Sequence, residues 1–361
     1  MAKNILVGLS GGVDSSVCAL MLKEQGYNVI GATMAIWGER ESDILPNVER
    51  KKGCFGPEEK ERIEETKKIA KEIGVELFVF DCSKKYDKIV LEYFKNEYSK
   101  GRTPNPCVIC NSLIKFGALI EAAQEAKIDF DYFATGHYAR IENIQGKYFL
   151  KRGVNPKKDQ SYFLYKLTQE QLSKIWFPLG GYSKEEIRQI AQKFNLTIAN
   201  KKDSQDFYGG DYNDLLNLPN KTGNIVDTKG NILGIHQGIW NYTIGQRKGL
   251  LISASEPLYV LSLNEEKNEV VVGFKDETFK KVLYASNLCF SDNELFKNGQ
   301  IKAKAKFRST QELQDVTVEK IEEDKIKVTY DEYQKSIAIG QSVVLYDSET
   351  VLGGGIIDSV E

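Results

Sequence analysis

Two segments hold the residue types that do chemistry. In the first, Leu9-Ser10-Gly11-Gly12-Val13-Asp14-Ser15-Ser16 stands between a strand-like run, KNILVGLS, and a helix-like stretch, VDSSVCALMLKEQG. A strand-to-helix turn offers backbone N–H groups and the positive end of a helix dipole, and both attract phosphate. Gly11 and Gly12 let the backbone come close, while Ser10, Ser15 and Ser16 bring hydroxyl donors and Asp14 a carboxylate able to hold Mg²⁺ on a pyrophosphate. The turn lacks the G-K-[ST] ending of a Walker loop, so transfer of a terminal phosphoryl group is not implied. In the second segment, Arg102-Thr103-Pro104-Asn105-Pro106-Cys107-Val108-Ile109-Cys110-Asn111, two prolines stiffen the backbone that presents two thiols. A C-x-x-C pair in such a chain is a redox pair, half of a zinc site or part of an iron–sulfur site. No second C-x-x-C or C-x-x-H follows to complete a zinc site.

The elements around these segments predict an α/β fold. KNILVGLS, NVIGATMAIW and ELFVFDC alternate with amphipathic stretches, and a further strand, DYFATG, ends at Gly136. Strand, long crossover and strand imply a parallel sheet covered on both faces, with ligands at the carboxyl ends of its strands. From about Gly209 the pattern changes to short β-rich runs separated by Gly, Asn and Asp turns, which read as one or two small antiparallel barrels. The expected division is 1–205, 206–275 and 276–361. The segment from Glu39 to Lys52 is a charged insertion.

A formal charge of -2 over 361 residues gives no global attraction to nucleic acid, so RNA binding must come from local basic patches. Lys302, Lys304, Lys306 and Arg308 alternate, which predicts a basic stripe on one face of a strand; the competing reading is an edge strand protected by lysines. Arg247-Lys248 and Lys201-Lys202 are further candidate phosphate contacts. Six cysteines scattered over the chain do not form a disulfide framework, and Cys18, Cys82 and Cys289, flanked by apolar residues, read as small buried hydrophobes. No uninterrupted apolar stretch of membrane-crossing length is evident, and the N-terminus leaves no room for a secretory signal, so the expectation is a cytoplasmic protein with no membrane partner.

SGGVDS resembles the signature of the PP-loop ATP pyrophosphatases, which split ATP between its α and β phosphates and adenylate a carbonyl or carboxylate. With GRTPNPCVICNSLIKFG, ATGHYAR, KKDQSYFLY, KKDSQDF, YTIGQRKGL and GQSVVLYDSETVLGGG, spread in order along the chain, the sequence resembles a narrower family, the bacterial tRNA-specific 2-thiouridylases (MnmA/TrmU). That resemblance implies an adenylating PP-loop domain, a small central domain and a C-terminal antiparallel β-barrel that binds tRNA. It implies ATP-dependent 2-thiolation of wobble uridine 34, with ATP on Gly8, Leu9, Ser10, Gly11, Gly12, Val13, Asp14, Ser15, Met34 and Gly136. Asn105, Pro106 and Cys107 would face the target uracil. His137, Lys158, Asp159, Gln160, Phe307, Arg308 and Gln341 would touch the tRNA, and Cys110 matches the family's loop cysteine. His236, inside the β-rich tail, reads as structural.

The chain departs from this family at two places. Better-known members carry aspartate at the position of Cys107, and a second catalytic cysteine where Asp203-Ser204-Gln205-Asp206-Phe207-Tyr208 has Tyr208. Sulfur must therefore be handled by Cys107, Cys110 and a further thiol, for which Cys54 in the loop Lys51-Lys52-Gly53-Cys54-Phe55-Gly56-Pro57 is the candidate. Three cysteine ligands, Cys54, Cys107 and Cys110, would hold a [4Fe-4S] cluster with one iron open to sulfide; two would favour a persulfide relayed between Cys107 and Cys110. A sulfur donor protein or sulfide is then a required partner. The rival readings are a PP-loop ligase acting on a small molecule and an RNA-binding protein that uses nucleotide as a switch.

Overall fold

Residues 2–38, 53–201, 206–292 and 294–361 are described by the computed structural model, with the main chain alone at Asp206. The charged insertion, Lys202 and Asp203-Ser204-Gln205 lie outside them. Packing divides the chain into two compact units, one formed by residues 1–90, 107–211 and 349–351 and the other by 91–106, 212–348 and 352–361.

The strands of the first unit are β1 (Asn4–Gly8), β2 (Asn28–Ala35), β3 (Gly53–Phe55), β4 (Glu76–Asp81), β5 (Tyr132–Thr135), β6 (Ala139–Ile144), β7 (Lys147–Arg152), β8 (Ile175–Trp176) and β9 (Asp206–Tyr208). Five form the expected parallel sheet in the order β4-β2-β1-β5-β8. Ile5, Leu6 and Val7 are all 0% exposed, which is how a strand covered on both faces buries a continuous apolar run; each such side chain contributes about 1.5–3 kcal/mol. Gly8 pairs with both Ala32 and Thr135, so β1 and β5 end level where the Ser10–Ser16 loop begins, while β2 runs on to Ala35. Helices α1 (Val13–Glu24) and α2 (Glu59–Glu72) follow β1 and β3, and α2 lies against β2 and β4.

Three features of this unit were not legible in the sequence. β3 and β9 form a separate parallel pair, Gly53 opposite Asp206 and Phe55 opposite Tyr208. β6 and β7 make a hairpin whose Lys151 pairs with Thr350 and whose Arg140 binds Glu349 at 2.9 Å. The helical run Pro106–Glu125 begins as α-helix, becomes a π-helix over Cys110–Ala118 and resumes as α-helix at Leu119. By length and composition this run passes for a membrane-crossing helix, but it is interrupted by Asn111, Ser112 and Lys115 and its most apolar window is 56% buried inside the protein. It is a core helix.

In the second unit β10 (Gly223–Val226), β11 (Ile232–His236), β12 (Tyr259–Asn264) and β13 (Glu269–Gly273) form a four-stranded sheet. This sheet is mixed, because β10 and β13 run parallel, so the antiparallel barrel expected of the tail is the C-terminal one. The strands β14 (Phe279–Phe290), β15 (Gln300–Lys306), β16 (Gln314–Glu322), β17 (Lys325–Lys335), β18 (Ser342–Asp347) and β19 (Thr350–Val360) neighbour one another in the order β14-β17-β16-β15-β18-β19, and β14 also pairs with β19. That closes an antiparallel barrel around Leu283, Val316, Val318, Ile326 and Val328. His236 is structural as expected: Nδ1 accepts from the Gly238 N–H at 3.0 Å, which leaves Nε2–H to donate to Asn268 O at 3.0 Å.

Candidate active site

The loop after β1 is built to offer main-chain donors. The N-cap of α1 is Gly12, which supplies no side-chain cap, so the N-cap leaves the first-turn N–H groups open to an anion. Inside the loop the Ser10 N–H donates to Ser15 Oγ at 3.2 Å, and the Ser15 and Ser16 hydroxyls donate to Gly12 O at 3.2 and 2.9 Å. Ser16 is fully buried, so it shapes the loop and is no phosphate ligand; this corrects the expectation for its hydroxyl. Leu9 and Val13 are buried and offer main chain alone, whereas Ser10 is exposed. Gly11 has a φ of 70°, and a Cβ there would lie 2.6 Å from Thr66 Oγ1.

Asp14 is not placed as a bare metal ligand. Its Oδ1 accepts from Tyr138 Oη at 2.7 Å and Lys184 Nζ at 2.7 Å, and Oδ2 accepts from Lys184 Nζ at 2.8 Å. Lys184 is buried, so the carboxylate is already neutralised by a desolvated ammonium, a poor fit to Mg²⁺. Lys184 escaped the sequence reading, since a lysine just after the N-cap Ser183 looks like solvated surface. Lys201 is likewise engaged at the loop, donating to Gly11 O at 2.9 Å and pairing with Glu65 at 2.7 Å.

Gly136 and His137 connect this loop to the cysteines. A Cβ on Gly136 would sit 2.7 Å from the Asp14 carbonyl carbon and 2.8 Å from Ser15 N, so the end of β5 packs directly on the loop backbone and tolerates no side chain there. Met34, half-buried near the end of β2, is at the same edge of the sheet. His137 Nε2 lies 3.4 Å from Lys115 Nζ and its Nδ1 lies 2.7 Å from Thr135 Oγ1. An ammonium only donates, so Nε2 accepts and the neutral ring carries its proton on Nδ1, donated to Thr135. Burial first, and Lys115 second, hold His137 well below the usual imidazole range.

Lys115 belongs to the helix that starts at Pro106, a residue suited to a first helical position. Cys107 and Cys110, three apart in its first turn, share a face and are both half-buried. Burial pushes the Cys110 thiol up to about 12, with Lys115 opposing and Cys54 and Cys82 adding to the rise. The resting thiol is therefore protonated. Upstream, the Asn105 N–H donates to Tyr93 Oη at 3.3 Å and Gln341 Nε2 donates to Thr103 O and Pro104 O at 3.1 and 3.0 Å, so Gln341 anchors the proline segment.

Cys54 is exposed on β3, and its Sγ is 3.6 Å from Phe207 O. Tyr208 is 2% exposed and fills an aromatic cluster with Phe55, Tyr86 and Phe207, which is a core role. Among the described residues no group of three His, Cys, Asp or Glu side chains is arranged to hold a metal ion. The expected cluster on Cys54, Cys107 and Cys110 is thus not shown by that arrangement, although Cys54 acts electrostatically on Cys110. Cys18 and Cys82 are buried as anticipated, while Cys289 is half-buried on β14.

The remaining sites divide by exposure. Arg308, Arg247 and Lys248 are exposed and Lys158 is half-buried. Phe307 is 3% exposed and packs edge-on to Tyr330 in the barrel core. Asp159 is buried, bound to Arg152 and to the Gly153 and Ser161 N–H groups, and Gln160 accepts from the Tyr138 N–H. The basic stripe is shorter than its alternation suggests: Lys302 and Lys304 face outward, donating to Thr317 Oγ1 and Asp315, but Lys306 is buried and donates to Ser309 O.

Comparison with known proteins matches residues 3–208 to the tRNA methyl transferase HUP domain, 216–274 to the tRNA methyl transferase PRC-barrel domain and 280–357 to the aminomethyltransferase β-barrel domain. The tRNA-specific 2-thiouridylase MnmA of Endomicrobium trichonymphae is 48% identical over 359 residues, covering 98% of each chain. That of Clostridioides difficile is 42% identical and MnmA 2 of Clostridium tetani 44% identical, each covering 99% of both chains. Two of the module descriptions speak of methyl transfer, but relatives matched from end to end are named for thiolation, and end-to-end identity decides: this chain belongs to the tRNA-specific 2-thiouridylase family.

Proposed function

We propose that the chain is a cytoplasmic tRNA-uridine 2-sulfurtransferase that uses ATP to adenylate the C2 carbonyl oxygen of wobble uridine 34 and displaces AMP with sulfur. One observation carries this reading: Gly136 packs on the phosphate loop and the adjacent His137 touches Lys115 of the cysteine helix, so one strand end joins the two chemistries. Uracil O2 leaves poorly as oxide and well as AMP, and adenylation also makes C2 more electrophilic. The Ser10–Ser15 loop binds the phosphates through its main chain; Mg²⁺ travels on the phosphates, as it commonly does, and no residue is assigned to it.

For the sulfur step we favour a relay through Cys107 and Cys110, because the two lie three apart on one face of the same helix. A donor protein's persulfide gives its outer sulfur to the Cys110 thiolate, leaving the donor as thiolate. The Cys110 persulfide attacks C2 and AMP departs with the O2 oxygen. The Cys107 thiolate then attacks Cys110 Sγ, which releases 2-thiouridine and leaves a Cys107–Cys110 disulfide for an external dithiol to reduce. Residues 1–205 carry adenylation, 206–275 form the small central domain and 276–361 the tRNA-binding barrel, with Arg308, Lys302, Lys304, Arg247, Lys248 and Lys158 as phosphate contacts. The test is a single turnover with tRNA, ATP and a persulfide donor without reductant. Expected products are AMP, pyrophosphate, 2-thiouridine and a Cys107–Cys110 disulfide; ADP, or thiolation that survives Cys110→Ser, removes the reading.

A further inference from the structure

A lysine in the middle of an apolar helix needs a physical reason. Cys110-Asn111-Ser112-Leu113-Ile114-Lys115-Phe116-Gly117-Ala118 is apolar apart from Asn111, Ser112 and Lys115, and it is π-helical throughout. At α-helical spacing Lys115 would be about 140° around the axis from Cys110. The i→i+5 bonding of a π-helix instead brings residues five apart to within about 50° of each other around the axis, so Lys115 and Cys110 share a face. Specific partners hold this unusual turn: the Ser112 hydroxyl donates to Val108 O at 3.0 Å, and Gln171 Nε2 donates to Ser112 O and Phe116 O, both at 2.9 Å. The lysine is held too, by Asn111 Oδ1 at 2.9 Å and the neutral imidazole of His137, while Asn111 Nδ2 donates to Phe163 O at 3.2 Å.

We propose that Lys115 is the positioning residue that favours the Cys110 thiolate, its ammonium fixed on the thiol's face of the helix by the π-turn, Asn111 and His137. Among the described residues the groups that act on Cys110 are opposed. Cys54 from β3 and Cys82 from the end of β4 disfavour its thiolate, Lys115 from its own helix favours it, and the neighbouring His137 is neutral and adds no charge. Lys115 is thus the cation set against burial at this thiol. The inference rests on the reading of Cys110 as the sulfur-carrying thiol, but its test needs neither tRNA nor sulfur.

The full chain is treated with iodoacetamide from pH 7 to 10 and each cysteine's alkylation is followed by site-resolved mass spectrometry. Lys115→Met should slow Cys110 alkylation about tenfold at every pH below the plateau, and Lys115→Arg should remain within about twofold of the parent. Cys289, on the barrel, reports integrity and should react unchanged. A Cys110 rate in Lys115→Met within about twofold of the parent overturns the proposal, and so do equal losses in Met and Arg, which mean packing alone. Thiolation retained by Cys110→Ser would overturn the proposed sulfur role while leaving the coupling of Lys115 to Cys110 in force.

Discussion

At the residue scale, the Asp14–Lys184 pair decides how the phosphate loop is held. Lys184 is 5% exposed and Asp14 28%, so breaking this partly buried pair on one side costs at most about 3–5 kcal/mol. Lys184→Met should therefore lower unfolding free energy by up to that amount and suppress AMP formation, while Lys184→Met with Asp14→Asn should recover much of the stability; chemical denaturation of the two variants is the measurement. Losses that simply add would show that the pair is not a unit. The two histidines give a second expectation. Burial lowers both His137 and His236, so the unfolded chain binds protons that the fold refuses, and stability falls as pH drops below about 6.5. His137→Gln should flatten that decline and leave the part due to His236. Sequence alone found Ser10, Gly11, Gly12 and the cysteines because glycines and thiols with fixed spacing are rare. It missed Lys184, Tyr138 and Gln171, whose roles depend on partners far along the chain.

At the element scale, strand direction decides which lysines can meet RNA. Alternation along Gln300–Lys306 puts Lys302, Lys304 and Lys306 on one side of the pleat, and that much was legible. Barrel closure then buries the end of the strand, and Lys306 with it. Replacing Lys302, Lys304 and Arg308 together should reduce the log–log salt slope of tRNA binding by roughly 0.9 per duplex phosphate lost or 0.7 per single-strand phosphate. Lys306→Met should leave that slope unchanged and instead alter stability; an equal change in slope for Lys306→Met would restore the full stripe. Gln341, expected on the RNA, holds the carbonyls of Thr103 and Pro104, while the Thr103 N–H donates to Ile339 O at 2.8 Å. Gln341→Ala should accordingly speed hydrogen exchange at the Thr103 amide without changing ATP binding.

At the scale of the whole molecule, the chain order of the two units makes a prediction that the motifs do not. Sequence texture suggests cutting after the first alternating strands and helices, yet Glu349–Val351 belongs with the first unit and Leu91–Pro106 with the second. A fragment ending at Asp211 would lack Glu349, which binds Arg140 at 2.9 Å and whose carbonyl accepts from the Arg152 N–H at 2.8 Å. It would also strip residues 91–106 of their partners: Ile339 and Gln341 for Thr103 and Pro104, and Asp358, 3.4 Å from Arg102. The segment so released leads straight into Cys107. Buried polar main-chain groups that lose their partners cost about 1–3 kcal/mol each, and several are lost together. The fragment should therefore be cut rapidly by trypsin at Lys100 and Arg102, which the intact chain protects, and should fail to release pyrophosphate with tRNA. A fragment ending at Asp211 that resists trypsin at both positions and adenylates tRNA at the parental rate would show that the first unit is complete without its late strand, and that residues 91–106 need no partner to present the cysteines.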